Sequence, residues 1–218
     1  MSACKPAARE TYRLVTVNGR LELCGDEGGG VCLQIDEVRR RVRQGRKLAL
    51  AKACGVRPAL RILDGMAGLG LDGITLAMLG CDVLMVERDP LLSALLNDAV
   101  NRVRSEIALP GAVACQSGDV RRLLADARYF DTIYLDPMFP ARDKRALPRK
   151  SAQVLSSLVG AAADDLRELI AQSMPRARQR VVVKRRRHDP TIGKPDWQIL
   201  GRSVRFDVYK GTAAADSD

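Results

Sequence analysis

Leu60-Arg-Ile-Leu-Asp-Gly-Met-Ala-Gly-Leu-Gly-Leu-Asp-Gly-Ile-Thr-Leu-Ala-Met-Leu79 reads as a short apolar strand, a glycine-rich turn and a helix that Gly80 closes. The strand is an unbroken apolar run rather than an alternating one, which is the pattern of a strand buried on both faces. The same grammar then repeats downstream. Asp82–Val86 predicts a second strand ending in Glu87, and Pro90–Val103 a long helix. Ala112–Cys115 predicts a third strand leading to Gly118-Asp119, followed by a helix over Val120–Ala127. Asp131–Leu135 predicts a fourth strand ending in Asp136-Pro137-Met138-Phe139-Pro140, with a mostly helical Ala152–Ser173 after it. Arg180–Val183 is the fifth strand, and Trp197–Leu200 with Val204–Tyr209 forms a closing hairpin. Strands alternating with helices imply an α/β fold around a mostly parallel, doubly wound sheet. The hairpin brings the sheet to seven strands and puts an antiparallel strand into it, a detail that simple dinucleotide-binding dehydrogenases lack.

Upstream of this core, Tyr12–Val17 and Arg20–Cys24 alternate around Asn18-Gly19, a strong hairpin signal, and Val31–Ile35 could add a third short strand. Asp36 is placed to cap a helix through Arg39-Arg40-Arg41, and Lys47–Cys54 reads as a second helix stopped by Gly55. The expected organisation is therefore a small β-rich and basic helical extension over 1–57, the main domain over 58–212, and a frayed tail over 213–218.

Composition narrows the function. The 218 residues are 46% hydrophobic and 28% charged, enough for one well-packed domain. No apolar run approaches the length of a membrane helix and no signal-peptide core is evident, so a cytoplasmic protein is expected. Six cysteines are scattered without a CxxC pair, which argues against a zinc ribbon or a redox dithiol. His188 is the only histidine, so histidine metal sites and Ser-His-Asp triads have no material; no metal is expected. The net charge of +10 suits a polyanionic partner.

Ligands of open α/β sheets bind beyond the carboxyl ends of the strands, where strand order reverses. The candidate residues all fall there. Asp64, Gly68, Gly70, Leu71 and Asp72 belong to the first turn, whose glycines let the backbone approach a ligand. Glu87 stands where a carboxylate accepts hydrogen bonds from a ribose diol, with Arg88 beside it. Gly118 and Asp119 follow the third strand; Asp119 could accept from an adenine amino group and also cap the next helix. Asp136-Pro137-Met138-Phe139 is similar to the [DN]-P-P-[FYW] signature of enzymes that methylate exocyclic amines. The chemistry explains the residue types. An amine conjugated to a base is a poor nucleophile, so Asp136 would hold one N–H and a backbone carbonyl of the Pro137–Met138 segment the other. Phe139 would stack on the flipped-out base, and Pro137 would stiffen the loop. Catalysis would be mainly positioning. Arg142, Lys144 and Arg145 after the fourth strand, and Lys184 and Arg185 after the fifth, are expected to grip RNA phosphates, with Arg39–Arg41, Arg43, Arg46 and Lys47 as a further basic surface.

Taken together, Ala49–Ala53, Asp64–Asp72, Val86–Arg88, Tyr134–Pro140, Ser157–Gly160, Arg180–Arg185 and Arg205–Tyr209 resemble the ribosomal RNA small subunit methyltransferase J family, bacterial 16S rRNA guanine-N2 methyltransferases. The resemblance spans roughly residues 36 to 212. It implies a class I, Rossmann-like methyltransferase fold, S-adenosylmethionine as cofactor, and the N2 amine of one guanosine in small-subunit RNA, free or in the assembled 30S subunit, as target. It carries cofactor contacts over to Leu71, Asp72, Glu87, Arg88, Gly118, Asp119 and Asp136. Gly65-Met66 stands where the family has Ala-Thr, Leu71 where it has Arg, and Arg43-Gln44-Gly45 where it is glycine-rich. Losing the arginine at 71 removes a charged contact to the cofactor carboxylate. Two other readings remain open from the residues: an adenine-N6 or other amino methyltransferase, and an RNA-binding protein on a degenerate methyltransferase fold.

Overall fold

The computed structural model describes residues 12–25, 30–126, 128–137 and 164–213. The chain opens with β1 (Arg13–Val17) and β2 (Arg20–Cys24), antiparallel and joined at Asn18-Gly19. Both turn residues have positive φ, 49° and 75°, as a two-residue turn matched to strand twist requires. β3 (Gly30–Val31) adds a short third strand to β2; it begins one residue before, and is shorter than, the Val31–Ile35 strand expected. Leu23 of this small sheet is buried against Leu92 and Leu95 of a main-domain helix.

Two helices follow, α1 (Ile35–Val42) and α2 (Ala49–Cys54). Asp36 does not cap α1. The helix starts one residue earlier, Gln34 holds the N-cap position without a side-chain bond, and Asp36 pairs with Arg39 at 3.2 Å. Val38, Leu50, Ala53 and Cys54 of these helices lie in the same hydrophobic cluster as Ile62, Ile74 and Val182 of the main sheet and its helices.

The main sheet comprises β4 (Arg61–Asp64), β5 (Asp82–Glu87), β6 (Val113–Ser117), β7 (Phe130–Leu135), β8 (Ala177–Arg186), β9 (Trp197–Leu200) and β10 (Val204–Lys210). Their order is β6-β5-β4-β7-β8-β10-β9. Strands β6 to β8 are parallel; β10 runs antiparallel to both β8 and β9. The expected mostly parallel seven-stranded sheet with a terminal hairpin is the one observed. Strand order reverses between β4 and β7, so the crevice opens over Asp64 and Asp136.

α3 (Leu71–Met78) and α4 (Pro90–Glu106) cover one face of the sheet; α5 (Val120–Ala125) and α6 (Asp164–Ser173) cover the other. α4 shows why its sequence folds so. Asp89 caps it by accepting from the Leu91 and Leu92 N–H groups at 2.9 and 3.0 Å, and Pro90 occupies the first turn. Leu92, Leu96, Ala99 and Val103 then recur at helical spacing and are buried, each large side chain stabilising the fold by roughly 1.5–3 kcal/mol. In the strands, the period of two sorts side chains between the faces. Tyr134 and Val182 join the α3 side, and Ile133, Leu135, Val181 and Val183 the α5 side. No described helix is long and apolar enough to cross a membrane.

Candidate active site

The turn after β4 is shaped by Gly70, the N-cap of α3, which has φ +82° and whose hydrogen lies where a Cβ would come within 2.6 Å of Leu96. Only glycine meets both demands. The turn is pinned at either end by backbone bonds from Gly65 N–H to the Tyr134 carbonyl (2.9 Å) and from Ala67 N–H to the Val86 carbonyl (3.1 Å). Two adjoining clefts open above it and meet at Met66 and Asp136. One, about 430 Å³, is bounded by Glu87, Arg88, Asp119 and Leu169. The other, about 640 Å³, is bounded by Asp64, Gly68, Leu71, Asp72, Tyr134 and Lys184.

Glu87 ends β5 and is buried. Its Oε2 accepts the Gly68 N–H at 2.8 Å and its Oε1 the Asp89 N–H at 2.9 Å. Burial pushes its carboxyl above the ordinary range, and these backbone donors work against that shift. Each oxygen keeps a second lone pair for a ligand hydroxyl. Gly118 N–H reaches the Glu87 carbonyl at 2.9 Å. Asp119 is the N-cap of α5: its Oδ1 accepts the Arg121 N–H at 2.9 Å, and its Oδ2 lies 3.3 Å from the Arg121 guanidinium. Arg88 is exposed at the cleft rim.

The second cleft holds a dense charge cluster. Asp72, in the first turn of α3, accepts from the Tyr134 hydroxyl at 2.6 Å, from Lys184 Nζ at 2.8 Å and from the Arg41 guanidinium of α1. Lys184 Nζ also donates to Asp136 Oδ2 at 2.7 Å. Burial alone would push the Asp72 carboxyl up, but Lys184 and Arg41 outweigh it and hold the group below the ordinary carboxylate range. Burial opposes the charge on Lys184 as well; Asp136 and Asp72 reverse this and raise it, so it stays an ammonium. For Asp136, burial raises the carboxyl, Lys184 lowers it and Asp72 raises it again, leaving it above the ordinary value. Asp64 is raised well above by burial, with Asp72 and Asp136 pushing the same way.

The structure thus gathers Asp64, Gly68, Leu71, Asp72, Glu87, Arg88, Asp119 and Asp136 around one crevice. Pro137 is buried beneath it. Two expectations require correction. β8 runs on through Arg186, so Lys184 and Arg185 are strand residues rather than parts of a loop gripping phosphates. Alternation turns Lys184 inward onto Asp72 and Asp136, while Arg185 is buried on the opposite face and donates to the Pro190 carbonyl at 3.0 Å. Phe139, Arg142, Lys144 and Arg145 lie outside the described residues. Sequence reasoning missed Arg41 and Tyr134 as parts of the site. A signal existed for Arg41: it stands three residues after the buried Val38, on the inward side of α1.

Among the described residues, three carboxylates (Asp64, Asp72, Asp136) face two cations (Arg41, Lys184), and Asp64 is the one without an ion pair. A positively charged sulfonium fits that surplus, and the Glu87 lone pairs fit an adenosine ribose. Sheet order, glycine turn, strand-end acid and the Asp-Pro after β7 define a class I S-adenosylmethionine-dependent methyltransferase. A family model described as "Putative SAM-dependent methyltransferase" matches residues 10–211, and a crystal structure of a SAM-dependent methyltransferase from Neisseria gonorrhoeae superposes with a TM-score of 0.72 at 27% identity, covering 98% of this chain and 88% of that one. More narrowly, the chain belongs to the ribosomal RNA small subunit methyltransferase J family. It is 40% identical over 205 residues to the Pseudomonas aeruginosa member, spanning 87% of this chain and 77% of the relative. It is 42% identical over 200 residues to that of Alkalilimnicola ehrlichii, spanning 85% and 76%.

Proposed function

We propose that this methyltransferase modifies the N2 amine of a guanosine in 16S ribosomal RNA, in the cytoplasm. The observation that carries the reading is the placement of Asp136-Pro137 at the strand-order reversal, with Asp136 bordering both clefts. The relatives named above, all called ribosomal RNA small subunit methyltransferases, support the substrate class. S-adenosylmethionine, when bound, supplies an electrophilic methyl carbon on a sulfonium that leaves as a neutral thioether. Glu87 would hold its ribose and Asp119 its adenine, with Gly68, Gly118 and Arg88 shaping that cleft. Asp136 Oδ1 would accept one N–H of the target amine and, as the new N–C bond forms, the proton that the amine sheds. The carbonyl of the buried Pro137 would accept the other N–H, aiming the nitrogen lone pair along the departing C–S bond. Phe139 would stack on the base, and Arg142, Lys144 and Arg145 would contact phosphates.

The test is tritium-methyl transfer to 16S RNA and to 30S subunits, followed by nucleoside analysis. The product expected is N2-methylguanosine, lost in Asp136→Ala while S-adenosylmethionine affinity persists. N6-methyladenosine as product, or an active Asp136→Ala enzyme, would refute it.

A further inference from the structure

We propose that Lys184 is a positioning residue for methyl transfer, locking the Asp136 carboxylate so that one oxygen remains free to accept the target amine. This rests on the role given to Asp136 above. The geometry runs as a chain of fixed contacts. Asp72 is anchored from two directions, by the hydroxyl of the fully buried Tyr134 on β7 and by Arg41 on α1. The anchored Asp72 Oδ2 holds Lys184 Nζ at 2.8 Å, and Nζ in turn holds Asp136 Oδ2 at 2.7 Å. Lys184 reaches this position because β8 alternates: Val182 faces the α3 side and Lys184 follows two residues on, above it. Its side chain is 20% exposed, and two of its three N–H groups are committed to carboxylates. That is poor equipment for a phosphate contact and good equipment for orienting an acid.

Electrostatics points the same way. Among the described residues, the titratable and charged groups around this pair are Asp64 at the end of β4, Asp72 on α3, Tyr134 on β7 and Arg41 on α1. Tyr134 is a neutral donor, since burial pushes its phenol well above the ordinary range. Two of the remaining neighbours of Asp136 are carboxylates. With Lys184 removed, burial and those like charges would drive a proton onto Asp136. A protonated carboxyl presents a donor toward the amine and has lost much of its strength as an acceptor.

The experiment compares wild type with Lys184→Met, Lys184→Arg and Tyr134→Phe. Steady-state methyl transfer is measured across pH, and the Asp136 carboxyl is titrated by carbon-13 NMR in cofactor-free protein. For Lys184→Met, kcat should fall about 10- to 100-fold, the loss typical of one charge-assisted hydrogen bond. The KM values for S-adenosylmethionine and RNA should stay within about twofold. The acid limb of the kcat profile and the Asp136 titration should both move to higher pH. Lys184→Arg should bring both back toward wild type, and Tyr134→Phe should move them in the Met direction by less. A raised KM for RNA with a flattened salt dependence and intact kcat would make Lys184 a phosphate contact and overturn the proposal. So would a drop in melting temperature with unchanged kcat and unchanged Asp136 titration, the mark of a purely structural role. If Lys184→Met does not fold, Tyr134→Phe decides, and an unmoved Asp136 titration in it overturns the proposal. Retained activity in Asp136→Ala sinks the functional reading itself, and the proposal with it.

Discussion

Replacing Glu87 by glutamine separates the charge of this side chain from its size. In the wild type each carboxylate oxygen meets a backbone donor, Gly68 N–H at 2.8 Å and Asp89 N–H at 2.9 Å. An amide offers one oxygen and one NH2, so whichever way it is turned, one backbone N–H confronts another donor. The lost bond is charge-assisted and the site is buried, so the unfolding free energy should fall by about 1.5–3 kcal/mol. The same substitution removes one acceptor for the ribose diol, weakening S-adenosylmethionine by a further ~1–3 kcal/mol, or roughly 5- to 150-fold in Kd. Isothermal titration with S-adenosylmethionine gives the second number, and urea unfolding monitored by circular dichroism gives the first. A folded Glu87→Gln protein with wild-type affinity would remove Glu87 from the cofactor site. Wild-type stability with lost affinity would show that the Gly68 and Asp89 bonds are dispensable to the apo fold.

Asp72 sets the acid tolerance of the active site. Its folded carboxyl is held below the ordinary value of 3.8, so its contribution is complete above that pH and is lost as pH falls below it. Asp72→Asn should cost about 3–5 kcal/mol near neutrality, the cost of breaking a buried ion pair, and should flatten the decline in stability below about pH 4; equal acid slopes in both proteins would contradict this. Charge reversal of Arg142, Lys144 and Arg145 together should weaken binding to 16S RNA and reduce the slope of log affinity against log salt by about 3, near 0.9 per phosphate contact. An unmoved slope in filter binding would place the RNA elsewhere.

The sequence carried the sheet because each strand is a compact apolar run bounded by turn residues, and the strand ends carried the crevice. Glu87, Asp119 and Asp136 could be read as site residues because topology alone places strand ends on one edge. The charge cluster could not be read this way. Lys184 pairs with an aspartate 48 positions away and another 112 positions away, and Arg41 bonds across 31. No local pattern encodes such pairings. A basic run in a basic protein looks like a phosphate surface, and in Arg39-Arg40-Arg41 two arginines are exposed while the third turns inward. Tyr134 was equally opaque: it reads as a core aromatic, and its ring is one, packed 6.4 Å from that of Phe206. Its hydroxyl supplies the part that sequence pattern does not show. Asp36 failed as a cap for a smaller reason, since a one-residue shift of the helix start moves it from cap to first turn.

The place of β10 in the sheet bears on how the chain is made. β9 is synthesised before β10, yet its only sheet neighbour is β10, which also covers the free edge of β8. While a nascent chain is emerging from the ribosome, β8 therefore presents an unpaired, valine-rich edge, and β9 has nowhere to dock, until residues 204–210 follow. An exposed edge of this kind is a template for misassembly with other chains. Stop codons or frameshifts between β9 and β10 should accordingly yield aggregates rather than a shortened soluble enzyme, although every crevice-lining residue named above would already have been translated.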